Sequence, residues 1–204
     1  MPPTPEARAT ADRFVFDTGN LKYLAMHLPK GALERTVPGA GWTVRQMLAH
    51  LAEAQEGYAE ILEGLQQGVP PDPSRFDPTA HNAQVAARHH ETPLPEIVNV
   101  FDVSVRRLVA ALGCVDEAAS RAKIGLFGLP DVLRAWSNHA AGHGMEMLDV
   151  LPELRDDPML LNWLLYEDFS QEPEHLASQR RLMQEVQHSY AAGEDQDPRE
   201  EEDE

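Results

Sequence analysis

Two histidines in the segment WSNHAAGHGMEM have the spacing of metal ligands on one face of a helix. His139 and His143 are four residues apart, which separates them by roughly 40° around a helix axis and about 6 Å along it. The apolar residues of the segment follow the same face, so both imidazoles should point toward the core. An unsatisfied buried polar group costs roughly 1–3 kcal/mol. Such a pair is a common half-site for Zn, Ni, Fe or Cu, although a carbonyl or carboxylate can also satisfy a buried imidazole.

A third histidine belongs to an earlier helical segment, WTVRQMLAHLAEAQ. His50 lies there beside the inner apolar stripe. One histidine from one helix and two from another can meet inside a helix bundle and supply three ligands. His50, His139 and His143 are therefore candidate ligands of one metal site.

Three acidic residues lie near these positions in the sequence. Glu146 is seven residues after His139, hence roughly 20° from it on a helix. Glu53 follows His50 by about one turn, and Asp102 flanks the inner stripe of another helix. Each could orient an imidazole, act as a base, or complete a coordination sphere. The alternative for each is a solvated acid on an outer helix face. Glu146 and Glu53 are the catalytic candidates.

The helices that must position these residues follow from apolar periodicity and capping signals. Four amphipathic helices are predicted, over residues 5–28, 43–67, 93–113 and 130–154. Thr43 and Gln46 form a capping box at the start of the second. Residues 68–95 form a long crossover with a helical turn over 79–87. The chain has no alternating strand pattern of useful length, so we expect an all-α four-helix bundle.

Further helices are expected beyond a bundle domain of residues 1–156. A short apolar helix over 157–166 begins at Asp157 and Pro158, and another covers 170–190. Together, residues 157–192 form a helical extension that packs on the bundle or at a dimer seam. The acidic residues 193–204 are expected to be a disordered tail.

Composition limits the partners and the compartment. The formal net charge is −17, which argues against a nucleic-acid partner because phosphates attract Lys and Arg. The single cysteine, Cys114, has no disulfide partner and is expected to be a small buried residue. The N-terminus lacks the apolar region of an export signal, and the most apolar segment is too short to cross a bilayer. We therefore expect a cytoplasmic protein without a membrane partner.

The two histidine segments resemble a known family. WTVRQMLAHLAE, followed later by HxxxH on a Trp-bearing helix, is similar to the DinB/YfiT-like superfamily, which includes the N-terminal domain of mycothiol-dependent maleylpyruvate isomerase. The resemblance covers about residues 10–154. It implies a four-helix bundle with a divalent metal, often Ni or Zn, held here by His50, His139 and His143. Gly142 and Gly144 depart from the family pattern; they either allow close helix contact or loosen the site.

The predicted chemistry follows from the ligand set. Three neutral imidazoles leave a coordination position open, and an open metal lowers the pKa of a bound water or thiol. With the resemblance, this predicts a metal-dependent thiol S-transferase or hydrolase. It would activate a low-molecular-weight thiol or water for transfer to a small electrophile. The alternatives are a stress-related protein that binds metal or forms a homodimer without catalysis, and a structural helical domain with buried histidines and no metal.

Overall fold

The computed structural model describes residues 2–69 and 77–164, which form six α-helices. Their bounds are α1 Pro5–Met26, α2 Val44–Gln66, α3 Pro78–Arg88, α4 Leu94–Leu112, α5 Leu129–Asp149 and α6 Pro158–Leu164. Helices α1, α2, α4 and α5 are the long ones, with 19 to 23 residues each. The predicted all-α bundle is therefore confirmed.

The four long helices pack around two apolar clusters. Helix α4 lies against α1 and α2, and α5 lies against the same two helices. One cluster includes Leu24, Met47, Phe101 and Met147, and the other includes Phe14, Leu62, Leu108 and Leu133. Along α5, Trp136 packs against the second cluster and Ala140 belongs to the first. His139 therefore lies where the two clusters meet.

The start of α2 is set by the predicted capping box. The Thr43 hydroxyl accepts a hydrogen bond from the Gln46 backbone N–H at 3.3 Å, and the Gln46 side-chain oxygen accepts one from the Thr43 N–H at 2.8 Å. These bonds satisfy two N–H groups that a helix start otherwise leaves unpaired. They also fix where α2 begins, and with it the rotation at which His50 leaves the helix.

Two short β-hairpins were not predicted. Strands β1 (Thr36–Val37) and β2 (Trp42–Thr43) pair antiparallel before α2, and β3 (Lys123–Ile124) and β4 (Phe127–Gly128) pair antiparallel before α5. Two-residue strands are too short to produce a detectable alternation of apolar and polar residues. A 3₁₀ turn precedes each hairpin, so both helices that carry the histidines begin from the same local arrangement.

The last bundle helix ends earlier than predicted. Helix α5 stops at Asp149 rather than near residue 154, and Pro152–Leu154 forms a separate 3₁₀ turn. The residue before a proline is disfavoured in the α conformation. Leu151 accordingly has φ −121° and ψ 63°.

The crossover contains more helix than predicted. A helical turn was expected over residues 79–87, but α3 has 11 residues. Asp77 caps it, since its carboxylate accepts hydrogen bonds from the backbone N–H groups of Thr79 and Ala80. The helix lies against α2.

The prediction that Cys114 is buried is wrong. Cys114 is exposed, whereas its neighbour Val115 is 2% exposed and belongs to the second apolar cluster. Both residues follow the end of α4 at Leu112. Cys114 is two residues after the buried Leu112, about 200° around a helix, and so lies on the opposite side, whereas Val115, three residues after Leu112, keeps to the inner side.

Helix α6 lies on the bundle, against α1 and α5. The Asp157 carboxylate caps it by accepting from the N–H groups of Met159 and Leu160. Leu160 and Trp163 are fully buried. The helix predicted over 170–190 and the acidic tail of 193–204 lie outside the described residues. Within the described residues, the helices are all too short or too polar to span a bilayer.

Two glycines of α5 should respond oppositely to alanine. A Cβ on Gly144 would lie 2.6 Å from the Trp163 ring, whereas one on Gly142 would meet nothing within 4 Å. Alanine favours a helix over glycine by about 1 kcal/mol, but overpacking costs about 1–3 kcal/mol. We expect Gly142→Ala to raise the free energy of unfolding by up to about 1 kcal/mol and Gly144→Ala to lower it by up to about 2 kcal/mol. Urea unfolding of the two variants measures this difference, and equal stabilities would contradict the packing of α6 on α5.

Candidate functional site

The structure brings the three predicted histidines together. The Nε2 atom of His139 is 3.1 Å from Nε2 of His50 and 3.1 Å from Nε2 of His143. One ligand atom from each residue lies within 4.8 Å of the other two, a grouping that could hold a metal ion. His50 comes from α2, and the other two come from successive turns of α5.

The cluster is less deeply buried than the sequence predicted. His50 is 8% exposed, but His139 and His143 are only half-buried, and 21% of the His143 side chain is exposed. The site therefore lies at the border of the core and meets solvent at His143. Such access suits a site that exchanges small molecules with solvent.

The protons available within the cluster cannot satisfy all of its nitrogen contacts. Nδ1 of His143 lies 2.8 Å from Oε2 of Glu146. A carboxylate accepts, so Nδ1 carries the hydrogen and a neutral His143 presents an Nε2 lone pair. His139 Nε2 can carry one hydrogen at most, yet it faces two imidazole nitrogens. Converging lone pairs of this kind fit a cation.

The electrostatic surroundings keep two of the imidazoles neutral. Burial, with the added effect of His143 and His50, lowers the pKa of His139 to about 3. Burial, together with His143 and His81, lowers the pKa of His50 to about 4, and Glu53 opposes this shift. Neutral imidazole is the form that binds metal ions. The two side chains are therefore in the ligating state at neutral pH.

Aromatic side chains surround the histidines. The Tyr58 hydroxyl is 3.0 Å from Nδ1 of His139, and the Tyr58 ring stacks on Trp136 at 4.2 Å between centroids. The Trp42 ring lies 5.1 Å from the His50 ring. These contacts restrict the orientations of the imidazoles that they touch.

The acidic candidates have different surroundings. Glu146 contacts His143, as described above. Oε1 of Glu53 is 2.6 Å from both Arg88 Nη1 and His89 Nε2. The Glu53 carboxylate therefore bonds to residues at the end of α3 rather than to the three imidazoles. Asp102 forms an ion pair with Lys22.

Sequence reasoning missed Tyr58 as a residue of the site. It is eight residues after His50 in the apolar stripe of α2, a position at which a core aromatic is expected. Its contact with His139 crosses from α2 to α5. Periodicity within one helix carries no information about such a contact. A hydroxyl-bearing aromatic on a face that also carries a histidine was the only signal available.

Comparisons with known proteins identify the family. A search of curated proteins found no match. Among solved structures, the chain is similar to a crystal structure of the mycothiol-dependent maleylpyruvate isomerase, determined for a histidine-to-alanine mutant. The TM-score is 0.58 at 16% identity, over 69% of this chain and 60% of that one, and at this identity the likeness shows the fold alone. The family model of the mycothiol maleylpyruvate isomerase N-terminal domain matches residues 18–148, well over half of the chain and including all three clustered histidines. The chain therefore belongs to the mycothiol maleylpyruvate isomerase N-terminal domain family.

Proposed function

We propose that the chain is a metal-dependent enzyme whose divalent first-row ion is held by His50, His139 and His143. The convergence of their three Nε2 atoms carries the proposal, because it offers more lone pairs than the local hydrogens can satisfy. When bound, such an ion lowers the pKa of a thiol or water and so makes its anion available near neutral pH.

Glu146 has the role of orienting His143 in this proposal. Its carboxylate accepts from Nδ1–H at 2.8 Å and thereby directs the Nε2 lone pair toward the other histidines. Carboxylates that hold the second nitrogen of a ligating imidazole commonly fix its tautomer and raise its basicity. Because 47% of the Glu146 side chain is exposed, it can also exchange a proton with solvent.

Glu53 is the second proton-handling candidate. Its carboxylate is 18% exposed and lies 2.6 Å from Nε2 of His89. The charge of Glu53 also acts on the pKa of His50, which places the carboxylate within electrostatic range of the site. A proton released by a substrate thiol could pass to this pair without a change in the histidine cluster.

The substrate class is a low-molecular-weight thiol that is transferred to a small electrophile. The family and the structural neighbour, which is described as mycothiol-dependent, support mycothiol as the first thiol to test. The half-buried His143 side of the cluster gives small molecules access. Hydrolysis, with water in place of the thiol, is the related reaction.

A thiol-transfer assay tests this function. Purified protein is incubated with 1-chloro-2,4-dinitrobenzene and mycothiol, glutathione or cysteine, and the thioether is followed by absorbance. We expect product formation above the uncatalysed rate with at least one thiol, loss of that activity after chelation, and recovery with added Zn²⁺ or Ni²⁺. His143→Ala should be inactive, because it removes a proposed ligand. His27→Ala, whose imidazole contacts Tyr23 at the end of α1 and is not a member of the cluster, is the matched control and should remain active.

Two results would contradict the proposal in different ways. Protein that contains stoichiometric metal but shows no turnover across the thiols, or with water and an activated ester, would be a metal-binding protein without catalysis. Protein that takes up no metal would favour a structural helical domain. Elemental analysis of the assayed samples separates these outcomes.

A further inference from the structure

Tyr58 connects α2 to the central histidine of the cluster. Its hydroxyl lies 3.0 Å from Nδ1 of His139, the nitrogen that faces away from His50 and His143. The Tyr58 ring packs between two other rings. It stacks on Trp136 with 4.2 Å between centroids and an interplanar angle of 11°, and it is tilted against Phe14 with 6.0 Å between centroids. The phenol oxygen is therefore held at a fixed position against one nitrogen of His139.

The direction of this hydrogen bond decides which nitrogen of His139 can bind a cation. A neutral imidazole carries one hydrogen. If the Tyr58 hydroxyl donates to Nδ1, the hydrogen of His139 is on Nε2, where it blocks a ligand bond. If Nδ1–H donates to the phenol oxygen, the Nε2 lone pair is directed toward His50 and His143.

We infer that Tyr58 is a positioning residue that accepts the Nδ1–H of His139 and so stabilises the ligating tautomer. The inference rests on the proposed metal site and extends it to a residue outside the ligand set. The Tyr58 hydroxyl bonds to Nδ1 of His139 as the Glu146 carboxylate bonds to Nδ1 of His143. The two α5 ligands are thus held by outer partners of different kinds, one the half-buried phenol of Tyr58 and the other the exposed carboxylate of Glu146.

Zinc affinity of a phenylalanine variant tests the inference. Tyr58→Phe keeps the ring between Trp136 and Phe14 and removes only the hydroxyl. Loss of an outer partner of a metal ligand typically costs 10–100-fold in affinity, and we expect a Zn²⁺ affinity lower by about that factor. Affinities are measured by competition with a chromophoric chelator on the full chain. Tyr23→Phe is the matched control, since it also removes a part-buried tyrosine hydroxyl bond, to Asp157, and should bind Zn²⁺ like the wild type.

The outcomes separate this inference from the proposed function. Wild-type binding with an unchanged or tighter Tyr58→Phe affinity would overturn the inference alone, since tighter binding means that Tyr58 favours the blocking tautomer. Wild-type protein that binds no Zn²⁺ would overturn both the role of Tyr58 and the proposed metal site.

A measurement on the wild type does not depend on the variant folding. Long-range ¹H–¹⁵N correlations of the Zn²⁺-loaded protein report which nitrogen of His139 carries hydrogen. A hydrogen on Nδ1 in slow exchange supports the inference, and a hydrogen on Nε2, or an Nδ1–H that exchanges as rapidly as one exposed to water, overturns it.

Discussion

His139→Ala should lower the affinity of the protein for Zn²⁺ by more than about 100-fold, because loss of even an outer partner costs 10–100-fold. His139 is the central member of the cluster, with its Nε2 atom 3.1 Å from both of the others. Its removal leaves two ligands from different helices. Metal content after purification and competition titration measure the effect, and wild-type protein should contain about one ion per chain.

His89→Ala is the matched control for this variant. His89 lies near the site and bonds to Glu53 and Thr92, but it is outside the cluster. Its replacement should leave metal content unchanged. A His139→Ala protein with wild-type metal content and only lower stability would mean that the three histidines have a structural role.

The convergence of the three histidines could be predicted in part, because half of its geometry is local. The four-residue spacing of His139 and His143 fixes their relation on one helix, and the structure places His50 against them. The surroundings could not be predicted in the same way. The contact of Tyr58 with His139 and that of Glu53 with His89 join different helices, and such contacts depend on helix rotation and crossing.

The same distinction applies to the fold. The start of α2 was predictable because the capping box of Thr43 and Gln46 uses neighbouring residues. The need for glycine at position 144 was not predictable. The residue that requires it, Trp163, is 19 positions later and packs against Gly144 only after the chain has turned. The sequence indicated that Gly144 either allows close helix contact or loosens the site, and the structure shows close contact with Trp163.

Asp17 is a buried carboxylate that ties α6 to α1. It is fully buried, and its oxygens accept from Arg13 Nε at 2.9 and 3.0 Å and from Trp163 Nε1 at 2.8 Å. Burial raises the pKa of Asp17, while the charge of Arg13 and both hydrogen bonds oppose that shift. Arg13 and Trp163 therefore stabilise the Asp17 carboxylate in an apolar setting, and the carboxylate supplies a hydrogen-bond acceptor to both of them.

Asp17→Ala should lower the free energy of unfolding by about 3–5 kcal/mol, the usual effect of removing one member of a buried ion pair. The variant takes the acceptor from the Trp163 N–H and the carboxylate from Arg13. Chemical unfolding gives the stability, and a red-shifted tryptophan emission would report exposure of Trp163.

Asp102→Ala is the matched control. The Asp102 side chain is 42% exposed and that of its ion-pair partner Lys22 is 31% exposed. We therefore expect the free energy of unfolding to fall by only about 0–1 kcal/mol. Equal losses in the two variants would mean that the Asp17 network does not anchor α6. A large loss confined to Asp17→Ala would instead make α6 part of the folded unit that supports the histidine helix, because Trp163 packs on Gly144 directly after His143.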